Sequence, residues 1–283
     1  MDARTETPLT QDSTELSPLL HIIHFSDTHL GPTPEFLLNG VNPYKRTLQL
    51  LGTVNGLDFD PGFFIHTGDI ANDPSPEAYQ VAREAFASIK PPLYFTTGNH
   101  DDAQLIRKHL PEAPHTPLVD DEDRLAYYWD AGQLRFYCLD AKVPHDDGPH
   151  GEIPQNQLDA LREDLASHDL PYAVFMHFPP FRMASPWMDG KLILTNGSAL
   201  HEVLKQSSPD RHRIRGVFFG HTHRSVQLYR EGILYSGVAS PAFQFSMAPD
   251  EHPPSMEVDT PIIFNHITFL PNSTAIKEYT VSP

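Results

Sequence analysis

The chain has a single cysteine, Cys138, in 283 residues. No intrachain disulfide can form, so an oxidising compartment is not indicated. A lone thiol inside the apolar run 134–139 reads as buried and inert rather than nucleophilic. No apolar stretch is long enough to span a bilayer, so no integral membrane segment is expected. The first eighteen residues are polar and acidic and lack the apolar centre of a secretory signal. Basic residues are scarce: 20 Lys and Arg against 37 Asp and Glu give a formal charge of −17. Long nucleic acid is thereby excluded as a partner, because it needs a basic face. A small anionic substrate is not excluded, since two divalent cations would reverse the local field at a site. These absences leave an acidic chain, 39% hydrophobic, read as cytoplasmic and long enough to bury a full core.

Residues 1–18 lack hydrophobic periodicity and are expected to form a mobile tail, with 19–283 as one domain. Short apolar runs rich in β-branched and aromatic residues predict strands at 19–26, 63–67, 93–97, 134–139, 172–176, 214–219, 233–238 and 262–270. Helical patterns separate several of them. Ser75 can cap a helix with Pro76 at its first position and Glu77 at its positive end. Ala78, Ala82, Ala85, Phe86 and Ile89 then share one face. A second helix starts near Pro154, with Leu158, Leu161 and Leu165 inward, and a third covers 44–54. Strand and helix alternate through the first half, which predicts parallel pairing. The last third is mostly strands and turns, which predicts a second, more antiparallel set.

Chemistry concentrates at the ends of the apolar runs. Five motifs carry it: Asp27-Thr28-His29, Gly68-Asp69, Gly98-Asn99-His100-Asp101, the single His177, and Gly220-His221-Thr222-His223. Imidazoles, carboxylates and one carboxylate able to bridge are what a cluster of two metal ions requires. Residues i and i+2 share a face of an extended segment, so Asp27 and His29 are expected to reach one ion. His221 and His223 suit either two neighbouring ions or one shared site. Gly68 permits a tight bend that aims the Asp69 carboxylate out of the sheet. Asn99 is a weak neutral ligand that needs strong partners. His100, next to it, is expected to point elsewhere and to do acid or electrostatic work. Asp101 either caps the following helix or orients His100. His177, judged by its residue type alone, reads as structural. All five motifs fall where strands end, the edge at which open α/β sheets bind ligands.

This order of motifs resembles the calcineurin-like metallophosphoesterase superfamily over Asp27 to His223. The wording of 25–30, 67–69, 98–102 and 150–153 is most similar to the bacterial class III cyclic nucleotide phosphodiesterases. The resemblance implies an α/β fold of two packed mixed β-sheets flanked by helices, a four-layer sandwich. It implies one metal held by Asp27, His29, Asp69 and His223, and a second held by Asp69, Asn99, His177 and His221. Asp69 would bridge, and His100 would stabilise or protonate the leaving oxygen. Two ions lower the pKa of a bridging water, and the resulting hydroxide would attack phosphorus in line. Manganese and iron suit this ligand mixture, divalent or mixed-valence, and zinc also fits. Purple acid phosphatases carry a Tyr ligand three residues after the Asp of Gly-Asp. Here that position is Asn72, which argues against an iron–tyrosinate site.

The expected function is hydrolysis of small phosphodiesters, with 3′,5′-cyclic nucleotides such as cAMP the leading class. Alternatives on the same metal core are a broad phosphomonoesterase and a glycerophosphodiester or nucleotide-sugar hydrolase. A non-catalytic interaction protein on this fold would have lost ligands, and here every position is filled. Candidate substrate contacts are His150, Arg182, Trp187 and Met188. Prolines concentrate around 179–186 and 249–261, and the loops at 179–197 and 241–261 either line the site or form a homodimer interface. His21, His24, His66 and His266, inside apolar runs, read as structural. His109, His115, His145, His168, His201, His212 and His252 read as loop or surface residues.

Overall fold

The structure, a computed structural model, describes residues 17–144, 148–248 and 252–281. The expected tail, apart from its last two residues, and His145 lie outside the described residues. Strands β1 (Leu20–Phe25), β2 (Phe63–His66) and β3 (Leu93–Phe95) alternate with helices α1 (Pro43–Val54) and α2 (Pro76–Ala85), and α3 (Ala103–His109) follows. The middle of the chain holds β4 (Thr116–Pro117), β5 (Tyr127–Ala131), β6 (Leu134–Cys138), β7 (Tyr172–Phe175) and β8 (Ile214–Phe219). Helices α4 (Gln155–Ala166), α5 (Pro186–Asp189) and α6 (Gly197–Ser207) connect them. The chain ends with β9 (Val226–Arg230), β10 (Ile233–Gly237), β11 (Gln244–Phe245), β12 (Met256–Glu257), β13 (Ile262–Phe269) and β14 (Thr274–Val281).

Two mixed sheets result. One has the order β14-β13-β1-β2-β3, the other β4-β5-β6-β7-β8-β10-β9, and β11 and β12 make a small separate hairpin. Pairing of β1, β2 and β3 is parallel, as the strand–helix alternation predicts, and β6, β7 and β8 are parallel too. The expectation of a separate antiparallel set in the last third needs correction. β13 pairs antiparallel with β1 and completes the first sheet, while β9 and β10 extend the second. β13 is buried along its whole length, and such a strand suits the interior of a sheet rather than a solvated edge.

The sheets pack face to face through aromatic rings. Phe63 on β2 lies 4.9 Å from Phe136 on β6 and 5.3 Å from Trp129 on β5. His24 on β1 faces Phe175 on β7 and Phe218 on β8. Burying a ring of this size is worth roughly 1.5–3 kcal/mol in transfer free energy. On the far face of the second sheet, Leu158, Leu161 and Leu165 of α4 and Leu200, Val203 and Leu204 of α6 close a second core. The expected inward face of α4 is thus found.

Local signals set the helix starts. Ser75 Oγ accepts from Ala78 N at 3.2 Å with Pro76 at the first position, and Asn42 Oδ1 accepts from Lys45 N at 2.8 Å ahead of Pro43. Past Ala85 the chain tightens into a 3₁₀ turn over Phe86–Ser88. Among the described residues, no helix is long and apolar enough to cross a membrane.

One buried cation anchors the loop that follows β10. Arg46 on α1 donates from Nε to Pro241 O at 2.5 Å, from Nη1 to Val258 O at 3.3 Å, and from Nη2 to Thr260 O. Hydrogen bonds to a charged group contribute about 1.5–3 kcal/mol each when their loss leaves partners unpaired. Arg46→Ala is therefore expected to cost about 2 kcal/mol or more, a fall of roughly 4–8 °C in Tm. Amide exchange in 241–261 should quicken in the same variant. An unchanged melting curve would refute the anchoring role.

Candidate metal centre

Every expected ligand sits just past the C-terminal end of a strand. Asp27 and His29 follow β1, Asp69 follows β2, Asn99 and His100 follow β3, His177 follows β7, and His221 and His223 follow β8. The parallel strands of both sheets end on the same side, so the loops after β1, β2, β3, β7 and β8 bring these groups together from distant parts of the chain. The convergence is tight. Asp27, His29, Asp69 and His223 offer ligand atoms within 4.8 Å of one another, and so do Asp69, His177 and His221. Asn99 Oδ1 lies 3.3 Å from His177 Nε2, beside the second group.

The local backbone differs from the expected extended form. Asp27 and His29 have φ of 56° and 45°, Asp69 has 56°, and His221 and His223 have 67° and 51°. A left-handed conformation is uncommon for residues with a Cβ and is held only where surroundings over-determine it. For Asp27, His29 and Asp69, backbone pairing between loops does so. Asp27 N donates to Gly68 O at 2.9 Å, His29 N to Asp69 O at 3.0 Å, and Leu30 N to Ile70 O at 2.8 Å. Asp27 and His29 meet at one position because two loops are zipped together, not because they share a strand face. His221 and His223 fall in different groups, which resolves their alternatives in favour of neighbouring sites.

Side chains behind the cluster fix its orientation. The Asp69 Oδ1 atom accepts from His100 N at 2.9 Å, and its Oδ2 lies 3.4 Å from His177 Nε2 and 3.6 Å from His29 Nε2. Both oxygens of Asp27 accept from His221 N, and Ser240 Oγ donates to Asp27 O at 2.7 Å. His66 Nδ1 accepts from Gly68 N, while its Nε2 meets Thr28 Oγ1 at 3.0 Å, which in turn donates to Ile70 O. His24 meets Thr67 Oγ1 at 2.9 Å, and His21 meets His266 at 2.9 Å. These four histidines are structural, as expected.

Asp101 corrects a sequence reading. The cap of α3 is Asp102, whose Oδ1 accepts from Leu105 N at 2.9 Å. Asp101 instead accepts from Ile70 N, Ala71 N, Gly98 N and Tyr79 Oη, tying the Asp69 loop to the Asn99 loop. Nothing in the sequence marked Tyr79 as its partner. Burial, reinforced by the nearby Asp69 charge, raises the Asp101 carboxyl above its ordinary value.

The electrostatics suit cations. Burial lowers His29 and His221 to about 3, so both rings are neutral. Burial alone would raise the Asp69 carboxyl, but His177, then His100 and His29, hold it well below the usual range. Asp27 is likewise depressed, with His223 overcoming burial. His223 Nδ1 donates to Phe243 O at 3.1 Å and His177 Nδ1 to Thr67 O at 2.7 Å. Their Nε2 atoms point into the cluster; burial would lower His177, but Asp69 raises it to about 9, so a metal there would take the place of its Nε2 proton. His29 Nε2 faces His223 Nε2 at 3.0 Å, and His177 Nε2 faces His221 Nδ1 at 2.9 Å. Each of these contacts needs either a proton or a metal ion between its two nitrogens. His221 Nε2 and His29 Nδ1 are buried with no hydrogen-bond partner. The donor set present therefore fits two metal ions sharing Asp69.

His100 stands beside this cluster rather than in it. Its Nδ1 meets Asn72 O at 2.6 Å, and its ring lies edge-on to His29 with centroids 5.0 Å apart. The position that would carry a tyrosine in purple acid phosphatases thus supplies a backbone carbonyl that orients His100.

Comparison with known proteins agrees with this geometry. The family described as calcineurin-like phosphoesterase matches residues 20–225, which enclose every residue of the cluster. The chain belongs to that family. A glycerophosphodiester phosphodiesterase of Enterobacter lignolyticus is 30% identical over 216 residues, covering 75% of this chain and 74% of the relative. A 3′,5′-cyclic adenosine monophosphate phosphodiesterase of Haemophilus influenzae is 27% identical over 234 residues, covering 82% and 80%. A dimetal phosphatase from Danio rerio superposes with a TM-score of 0.71 at 13% identity, covering 94% of this chain and 99% of that one. The last likeness is one of fold, and it bears out the two-sheet architecture. This phosphoesterase is a metal-dependent phosphoric ester hydrolase.

The expected substrate contacts scatter. Met188 is fully buried and cannot meet a substrate or a second copy. Arg182 lines a surface cleft of about 500 Å³ with Phe181, Thr195, Ser198, Tyr229 and Arg230. His150 is half-buried beside Gly151, which bridges to Lys142 and Leu194. Among the described residues, neither Arg182 nor His150 has a hydrogen bond or ring contact with the cluster. His201, expected at the surface, is buried on α6, with Nδ1 2.6 Å from Tyr235 Oη. The helical spacing that carries Leu200, Val203 and Leu204 inward carries His201 with them.

Proposed function

We propose that this phosphoesterase is a phosphodiesterase of small diesters, with 3′,5′-cyclic nucleotides the leading class. The observation that carries the two-metal part of the reading is the single Asp69 oxygen lying between His29 and His177, and the phosphodiesterase relatives support the diester part. We assign Asp27, His29, Asp69 and His223 to one metal and Asp69, Asn99, His177 and His221 to the other. Divalent cations held there would supply a nucleophile at neutral pH and offset phosphate charge. Manganese or iron suits these ligands, and so does zinc. The protein's own contribution is positional. The His100 amide fixes Asp69 Oδ1, and Asn72 O fixes the His100 ring. With Nδ1 so engaged, a protonated His100 would pass its Nε2 proton to the departing alkoxide. The Enterobacter relative favours a second reading, in which the diester is a glycerophosphodiester.

The test is a comparison on metal-reconstituted protein of bis-p-nitrophenyl phosphate, p-nitrophenyl phosphate, 3′,5′-cAMP and glycerophosphocholine. Diester turnover well above monoester turnover is expected. Asn99→Ala should lower it by roughly 10–100-fold, as losing a weak or supporting metal contact does. Preference for the monoester would overturn the diesterase reading. Glycerophosphocholine turnover without cAMP turnover would select the second reading.

A further inference from the structure

An aromatic surface runs outward from the metal cluster. Phe243 lies 4.2 Å from the His223 ring and 5.8 Å from the His29 ring. Phe245, two residues on, is 5.3 Å from His223 and perpendicular to Phe243. Trp187, from the other proline-rich loop, comes within 6.4 Å of Phe245 at an interplanar angle of 49°. Phe243 is buried, whereas Phe245 and Trp187 are half-buried. The surface therefore starts against the proposed ligands and ends at solvent.

Both ends are held in place. Arg46 grips the loop on either side of the β11–β12 hairpin that carries Phe245. Arg224, next to His223, donates to Gln244 Oε1 at 3.0 Å and to Glu257 Oε2 at 2.8 Å, one residue on each strand of that hairpin. Trp187 is seated by its buried neighbour Met188, and Lys191 Nζ covers one face of the indole at 5.0 Å. Fixed aromatic faces next to a phosphate site offer a flat ring a stacking partner and offer a small polyol almost nothing.

We propose that Phe245 and Trp187 form a stacking wall that selects diesters carrying a nucleobase over aliphatic ones. This rests on the phosphodiesterase reading and adds to it the residues that would select its substrate class. The arrangement also gives the two proline-rich loops a shared role, one wall built from both.

The experiment compares 3′,5′-cAMP with the base-free methyl ribofuranoside 3′,5′-cyclic phosphate, which has the same scissile bond, on manganese-loaded protein. Wild type should prefer cAMP. In Trp187→Ala and Phe245→Ala the ratio of kcat/KM values should fall about 5–100-fold, the range that stacking of one base supports. The fall should come through KM, and Trp187→Phe should restore most of it. An unaltered ratio in both alanine variants, or a wild type that does not discriminate, would overturn the wall. A second readout separates the wall from the reading beneath it. Trp129 is buried in the core, so quenching by added AMP reports on Trp187, the other of the chain's two tryptophans. AMP should quench more than ribose 5-phosphate, and Trp187→Phe should abolish the difference. Quenching without diester turnover keeps the wall and sinks the diesterase reading. Turnover of both cyclic substrates without quenching does the reverse.

Discussion

Asp69→Asn is expected to strip metal from both subsites and to lower diesterase kcat by on the order of 10³-fold or more. Removing a residue that merely orients a metal ligand costs about 10–100-fold, and a carboxylate shared by two ions should cost more. The substitution is nearly isosteric, so its effect isolates charge. Asparagine keeps an oxygen for the His100 amide, which now reaches Asp69 Oδ1 at 2.9 Å. It loses the negative charge at the atom 3.4 Å from His177 Nε2 and 3.6 Å from His29 Nε2. Metal content by mass spectrometry should drop from two ions per chain to less than one, with the circular dichroism spectrum unchanged. Two tightly held ions in a variant of normal activity would remove Asp69 from the bridge. A loss of one ion only would assign Asp69 to a single subsite.

Much of this centre was legible because strand ends are legible. Apolar runs such as 63–67 and 172–176 mark buried strands, and a polar residue just beyond each must lie at the sheet edge. The backbone form of that edge was not. Asp27, His29, Asp69, His221 and His223 are all left-handed, and an Asp or His signals that form less plainly than a glycine does. The strain is held by pairing between loops far apart in sequence, such as Asp27 N with Gly68 O, which a local reading does not see. Long-range choices account for the other differences. The pattern of β13 gives a buried strand, but only the register against β1 shows which sheet it joins. Asp101 and Asp102 are chemically alike, and the helix start one residue later decides which one caps. The aromatic wall was visible only in half. Trp187 was a candidate substrate contact from the sequence, whereas Phe245 gains meaning from lying 5.3 Å from His223.

Gly98→Ala is expected to act at the same carboxylate by steric means. A Cβ at Gly98 would lie 2.0 Å from Asp69 Oδ1, 2.4 Å from Asp69 N and 2.7 Å from Asp69 Cγ. The obstacle is not the free end of a flexible side chain. Asp69 is already held in a left-handed conformation, with its Oδ1 bonded to His100 N and its loop clamped by Asp101. Either the carboxylate leaves the position between the two histidine groups, or the loops after β2 and β3 separate. Both routes should lower kcat/KM by at least about 100-fold, the scale seen when a positioned catalytic group is displaced. Forced overpacking adds a stability cost of about 1–3 kcal/mol, a fall in Tm of roughly 2–12 °C for a chain of this size. Gly52→Ala is the contrast. Gly52 is exposed in α1, and a Cβ there meets nothing within 4 Å. Relieving a helical glycine should raise stability by up to about 1 kcal/mol and leave kcat alone. If Gly98→Ala instead behaves like Gly52→Ala, active and at least as stable, then the Asn99 loop is not packed against Asp69 as described, and the geometry on which the shared carboxylate rests is wrong.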